Sequence, residues 1–127
     1  MQAILLVFLG AGIGGVMRHG VNIGCARFCG TAFPWGTLTV NAVGSLAMGV
    51  IAGWLAFNAE VPGSQPLRLF LLTGILGGFT TFSAFSLDAA LLWERGDGLL
   101  AAGYVLGSVV LSLAALGIGL AGIRALA

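Results

Sequence analysis

Charged residues are scarce in this sequence. Only 7% of the 127 residues are Asp, Glu, Lys or Arg, none is a lysine, and the formal net charge is +1. Soluble domains carry about 25% charged residues, so an ordinary water-facing surface is excluded. The arginines are scattered singly. They form no basic patch, and no nucleic-acid partner is expected.

Residues suited to enzyme chemistry are equally scarce. His19 is the single histidine, and no nucleophile or metal partner can be assigned to it. Cys25 and Cys29 match no standard zinc spacing with that imidazole, and we interpret them as small buried apolar residues. We therefore expect that the protein is not an enzyme.

The sequence does contain long charge-free runs, at 1–17, 28–59, 69–87 and 98–123. A helix that crosses a bilayer needs roughly 20 apolar residues. We expect the first run to be retained as a span, since no basic segment precedes it. The sequence thus predicts an all-α membrane protein with a single domain, 1–127, embedded in the lipid bilayer. Its four predicted spans are 2–28, 35–58, 67–94 and 98–124.

The third span is predicted to break near residues 77–83. Its segment Gly74 to Phe85 reads G-I-L-G-G-F-T-T-F-S-A-F. Paired glycines loosen the backbone, and hydroxyls can bond the peptide groups that a break sets free. Irregular backbone at membrane depth is tolerated only where it is buried in protein or lines a polar cavity. We therefore interpret the break as an ion site.

Other polar residues at membrane depth are mostly uncharged hydrogen-bond donors. Asn41 lies inside the second span, either as a site residue or in an interhelical hydrogen bond. In the fourth span, polar residues recur every four positions, which places them on one stripe. They are Tyr104, Ser108 and Ser112.

Donors without carboxylates suit an anion rather than a cation. Ring edges carry the positive end of the aromatic quadrupole, so phenylalanines beside the break favour an anion too. Core packing is the alternative for Phe79, Phe82 and Phe85. Asp88 falls toward the interface. Arg18 could snorkel, pair with Asp88 or a backbone carbonyl, or draw anions into a vestibule.

The arginines predict no fixed orientation. Arg68 and Arg124 flank one side of the predicted membrane domain, and Arg27 and Arg95 flank the other. Orientation follows a Lys/Arg imbalance, which is missing here, so we expect dual topology and an antiparallel homodimer. Glycine pairs four residues apart allow close helix approach, within one protomer or between two. They are Gly10/Gly14, Gly20/Gly24, Gly74/Gly78 and Gly103/Gly107.

Three segments closely resemble the motifs of the Fluc-type, CrcB-like fluoride channels. They are Gly10 to Arg18 (G-A-G-I-G-G-V-M-R), Gly36 to Gly44 (G-T-L-T-V-N-A-V-G) and Gly74 to Phe85. The resemblance covers all four spans. It implies a multi-pass protein of the prokaryotic inner membrane, a dual-topology homodimer with two antiparallel pores that export fluoride passively.

The resemblance also implies roles for individual residues. A structural sodium ion would be held at the dimer centre by backbone carbonyls of Gly77 and Thr80. Residues implied for the fluoride path are Asn41, Phe82, Phe85, Tyr104, Ser108 and Ser112, with Thr81 and Ser83 as further candidates. Ala84 departs from the family pattern, because many members have threonine there.

Two other membrane functions compete with this interpretation. Small multidrug resistance-like exporters also have four short helices. Their common feature, however, is a membrane-embedded glutamate in the first helix. Residues 1–28 contain no carboxylate here. A scaffold protein would explain the glycine pairs, but it would not explain the hydrophilic break.

Overall fold

The computed structural model describes residues 1–126, and this range is helical with no strand. Four stretches of helix are long and apolar enough to cross a membrane, which confirms the predicted all-α, four-span class. The helices are α1 (Gln2–Cys29), α2 (Trp35–Phe57), α3 (residues 64–79), α4 (Phe82–Glu94) and α5 (Gly98–Leu126). The third span therefore consists of α3 and α4. It begins at Ser64, three residues before the predicted start.

Short polar turns connect the spans. Gly30 and Gly96 have φ angles of 78° and 87°, a left-handed conformation that glycine adopts without a Cβ clash. Each lies just past the end of a helix, where such a residue commonly stops helical hydrogen bonding. Pro34 then precedes α2, with its fixed φ of −79°. The chain thus turns tightly enough for the spans to be neighbours.

Helix α3 contains a wider-wound stretch. It is α-helical over Ser64–Arg68, π-helical over Leu69–Leu76 and α-helical again over Gly77–Phe79. The Gly77 N–H bonds the carbonyl of Leu72, five residues back. Local π-helical winding is rare and often found near functional sites. The sequence did not predict it, and here it lies directly before the break.

Glycines bring α1 against α3. A Cβ at Gly14 would collide with the carbonyl of Ile75, and one at Gly10 would lie 2.7 Å from the carbonyl of Phe70. A Cβ at Gly78 would collide with the carbonyl of Ala11. Absent side chains thus let the two backbones touch, as in small-residue packing of membrane helices. The contact positions the end of α3 against α1.

A similar contact joins α2 and α5. A Cβ at Gly49 would collide with the carbonyl of Leu116, and one at Gly119 would lie 2.6 Å from the carbonyl of Leu46. Two close helix pairs result, α1 with α3 and α2 with α5. Helix α2 also contacts α1, α3 and α4, so its middle faces the break.

Gly14 offers a direct test of the contact between α1 and α3. We expect Gly14→Ala to lower the free energy of unfolding by about 1–3 kcal/mol, because the new methyl group overlaps the backbone of Ile75 and Phe79. Thermal unfolding in detergent measures the change. Gly15→Ala is the matched control, since a Cβ there meets open space. Equal stability of the two variants would contradict the contact.

Candidate ion site at the helix break

The third span loses its helical conformation at two residues. Thr80 has φ −80° and ψ 158°, and Thr81 has φ −154° and ψ 119°, both extended. The break therefore lies within the predicted range 77–83. An extended pair in an apolar layer leaves peptide groups without their helical partners, and each must be bonded elsewhere.

Asn41 of α2 bonds the freed backbone of Thr81. Its Nδ2 donates to the Thr81 carbonyl at 3.0 Å, and its Oδ1 accepts from the Thr81 N–H at 2.8 Å. Thr81 is buried, so water could not easily replace these bonds. Of the two interpretations of Asn41, the interhelical hydrogen bond is present. Its partner is the backbone of the break.

Hydroxyl groups bond the ends of the two half-helices. Thr80 donates from both N–H and Oγ1 to the carbonyl of Leu76, at 3.0 and 2.9 Å. Thr81 Oγ1 accepts from the N–H of Ala84 at 3.2 Å, which makes Thr81 the N-cap of α4. Ser83 Oγ lies 3.3 Å from the same Thr81 oxygen.

The end of α3 presents backbone carbonyls. The N–H that would bond the carbonyl of Gly77 in a continuous helix is that of Thr81, and it donates to Asn41 instead. Gly77 is exposed on the protomer, and Thr80 is half-buried. Carbonyl oxygens are ligands for hard cations, so the chemistry of this pair fits a sodium ion. The Thr80 carbonyl also accepts from Arg18 Nη1 at 3.3 Å.

A cavity of about 320 Å³ lies beside the break, between α2, α4 and α5. Among the described residues, its lining carries amide, hydroxyl and aromatic groups and no carboxylate. The polar and aromatic residues of the lining are Asn41, Ser45, Thr80, Thr81, Phe82, Phe85, Ser108 and Ser112. Ser45, which lies one turn beyond Asn41 on the same helix, was not among the predicted site residues.

In the described part of the chain, Ser108 places a buried hydroxyl without a partner in the lining of this cavity. Its side chain is buried, and within residues 1–126 its hydroxyl oxygen has no hydrogen-bond partner. A buried hydroxyl without a partner costs about 1–3 kcal/mol on mutational scales. Because Ser108 lines the cavity, a ligand there could accept a hydrogen bond from this hydroxyl.

Aromatic rings extend from the cavity toward one end of the molecule. Phe85 is buried, with its centroid 5.3 Å from both the Phe82 and the Tyr104 rings. Phe82, in contrast, is 76% exposed. The Tyr104 hydroxyl donates to Asp88 Oδ2 at 3.3 Å. Tyr104 and Asp88 are thus paired with each other beyond Phe85.

Asp88 also lines a second cavity, of about 330 Å³, near the turn after α1. Asn22, Thr37 and Arg95 are further polar residues of its wall. Asn22, whose side chain packs against the backbone of Gly36, was not predicted from the sequence. An amide inside the first span was the available signal. Within residues 1–126 no ion pair forms, so Arg18 does not pair with Asp88.

The comparisons with known proteins identify the family. The family described as CrcB-like protein, Camphor Resistance (CrcB), matches residues 5–120. The chain belongs to this family.

Several curated relatives are similar over nearly their whole length. The fluoride-specific ion channel FluC of Rhodopseudomonas palustris (strain BisB5) is 62% identical over 122 residues, 96% of this chain and 97% of that protein. The fluoride-specific ion channel FluC 2 of Nitrobacter hamburgensis is 58% identical over 120 residues, 94% and 95% of the two chains. That of Methylobacterium nodulans is 58% identical over 124 residues, 98% of each chain.

These similarities confirm the family inferred from the three sequence motifs. The CrcB-like family is one of ion channels, so the prediction that the chain is not an enzyme is also confirmed. Four spanning helices and channel relatives together make this a multi-pass membrane protein. The roles of individual residues stay predictions.

The bonds of Asn41 can be tested by removing its amide. We expect Asn41→Leu to lower the free energy of unfolding by about 1–3 kcal/mol, because the buried N–H and carbonyl of Thr81 each lose their partner. Hydrogen exchange at the Thr81 amide should also accelerate. Asn58→Leu is the control, because Asn58 bonds only the exposed carbonyl of Trp54. Unchanged exchange at Thr81 would show that Asn41 does not hold the break.

Proposed function

We propose that this chain forms a fluoride channel that exports fluoride passively. The observation that carries the proposal is the cavity at the break, which combines an unpartnered buried Ser108 hydroxyl with a carboxylate-free wall of donors and rings. Relatives named fluoride-specific ion channels, at 58% to 62% identity, support the choice of ion.

The wall chemistry suits a small, strongly hydrated anion. Fluoride must exchange its water for converging donors, because burying an unsolvated charge is very costly. Ser108, Ser112 and the amide of Asn41 offer such donors along α2 and α5. The ring edges of Phe82 and Phe85 offer weaker positive potential where no hydroxyl is present. We infer that the ion passes between these groups, and that Tyr104, Thr81 and Ser83 lie along its route.

We further propose that two antiparallel copies form the channel, each pore needing both. Phe82 lines the cavity but is 76% exposed on one protomer, so the wall is incomplete there. Gly10, Gly14, Gly74 and Gly78 are packed within the protomer, whereas a Cβ at Gly103 or Gly107 meets open space among the described residues. The α5 pair is therefore available to a second copy. The balanced arginines support dual topology, and the expected location is a prokaryotic inner membrane.

We also propose that the Gly77 and Thr80 carbonyls of both copies hold a structural sodium ion. Gly77 is exposed, and its carbonyl has lost its helical donor to Asn41, which supports this assignment. The bound ion would supply fixed positive charge near the dimer axis, which would partly offset the cost of an anion at depth.

Reconstituted liposomes test the function and the phenylalanines together. We expect vesicles with the wild-type chain to release fluoride while retaining chloride and a lipophilic cation. Phe82→Ile or Phe85→Ile should abolish the release, because an aliphatic side chain has no positive ring edge. A fluoride electrode measures the efflux. Phe57→Ile, at an exposed position ending α2, is the matched control.

Two outcomes would contradict these proposals separately. Wild-type vesicles that retain fluoride would reject the channel. Undiminished release by both isoleucine variants, with normal folding, would instead remove the rings from the mechanism.

Orientation in the membrane can be tested by labelling the loop between α2 and α3. We expect Gln65→Cys, in a background where Cys25 and Cys29 are replaced by alanine, to react with an impermeant thiol reagent from both sides. The balanced arginines are the physical reason. Labelling before and after permeabilisation gives the fraction in each orientation. Reaction from one side only would rule out dual topology.

A further inference from the structure

Arg18 is the one arginine of α1 that lies deep within its span, and the structure gives it a specific partner. Its side chain is half-buried, and Nη1 donates to the carbonyl of Thr80 at 3.3 Å. Within residues 1–126 it forms no ion pair, and Asp88 accepts from Tyr104 instead. Burying a cation at membrane depth costs free energy, and charged residues there usually have a function. We therefore expect the contact of Arg18 with the break to have one.

The packing of α1 explains how Arg18 reaches this carbonyl. Gly14, one turn earlier, touches the backbone of Ile75 and Phe79 at the end of α3. Four residues further along α1 the helix has risen by about 6 Å, which places Arg18 beside Thr80. Gly10, earlier in α1, contacts Phe70 and Gly74, which are earlier in α3. Because the contacts advance together along both chains, the two helices run parallel.

The bond of Arg18 and one of the two bonds of Asn41 are made to the same peptide group, the one between Thr80 and Thr81. Arg18 holds the Thr80 carbonyl, and Asn41 Oδ1 holds the Thr81 N–H at 2.8 Å. The carbonyl and N–H of one trans peptide are coplanar and point in opposite directions. Arg18 from α1 and Asn41 from α2 therefore bond opposite edges of this peptide plane. The plane cannot rotate without breaking both bonds.

We propose that Arg18 is a positioning residue that fixes the orientation of the Thr80–Thr81 peptide plane at the break. It does so jointly with Asn41. That plane determines where the Thr80 carbonyl and the Thr81 N–H point. The positive guanidinium also matches the negative C-terminal end of α3. The consequence for ion flux rests on the proposed channel function, whereas the orientation of the plane does not.

A double-mutant cycle with a transport-independent readout tests this role. We expect Arg18→Met to accelerate hydrogen exchange at the Thr81 amide by about tenfold or more, the effect of losing a hydrogen bond to a charged group. Arg18→Met combined with Asn41→Leu should be less than additive, because both substitutions release the same plane. Arg18→Lys should restore most of the protection, and Arg18→Gln, which keeps a donor, should be intermediate.

Arg27→Met is the matched control, because it removes the same charge from an exposed position at the end of α1. It should leave Thr81 exchange unchanged and add independently to Asn41→Leu. In vesicles, Arg18→Met should reduce fluoride release. Strict additivity with Asn41→Leu, or unchanged Thr81 exchange in Arg18→Met, Arg18→Lys and Arg18→Gln alike, would overturn the proposal. Wild-type vesicles without fluoride release would reject only the channel function.

Discussion

Peptide groups inside an apolar layer must be hydrogen-bonded within the protein, and the structure around the break follows from that requirement. Two extended residues release donors and acceptors that a continuous helix would have paired. An amide from α2, a guanidinium from α1 and the hydroxyl of Thr81 replace those partners. The polar residues near the break therefore have structural roles first. A ligand in the cavity could use only the hydrogen-bonding capacity that these structural bonds leave free.

The residues that line the cavity differ in how many hydrogen-bond donors they have left for a ligand. Both polar atoms of Asn41 bond Thr81, which leaves only its second N–H free for a ligand. Ser108, in contrast, is buried without a partner among the described residues. If an anion crosses this region, Ser108 is the group that gains most from it, since its hydroxyl otherwise stays unpaired. The main contribution of Asn41 is structural, because it holds the Thr81 backbone in the cavity wall.

Part of this architecture could be predicted from sequence, because it depends on local composition. Charge-free runs indicate four spans, although the first run ends at residue 17 and its helix continues to Cys29. Glycines with threonines locate the break near its observed position at Thr80 and Thr81. The partner of Asn41, the contact of Arg18 and the pairing of Tyr104 with Asp88 depend on how helices pack. A sequence with several equally plausible partners for each group could not decide among them. The π-helical stretch Leu69–Leu76 has no local signature in its apolar composition.

A broken helix also provides two ends of opposite sign at one depth. The C-terminal end of α3 presents carbonyls and a partial negative charge, and the N-terminal end of α4 presents N–H groups and a partial positive charge. Arg18 already lies at the first end, where the proposed cation would also bind. The second end begins at Phe82, on the wall of the cavity. A single two-residue interruption can thus favour a cation on one side and an anion on the other, as in transporters built from discontinuous helices. The proposed function needs both properties together, and the break explains why neither requires a charged side chain facing the pore.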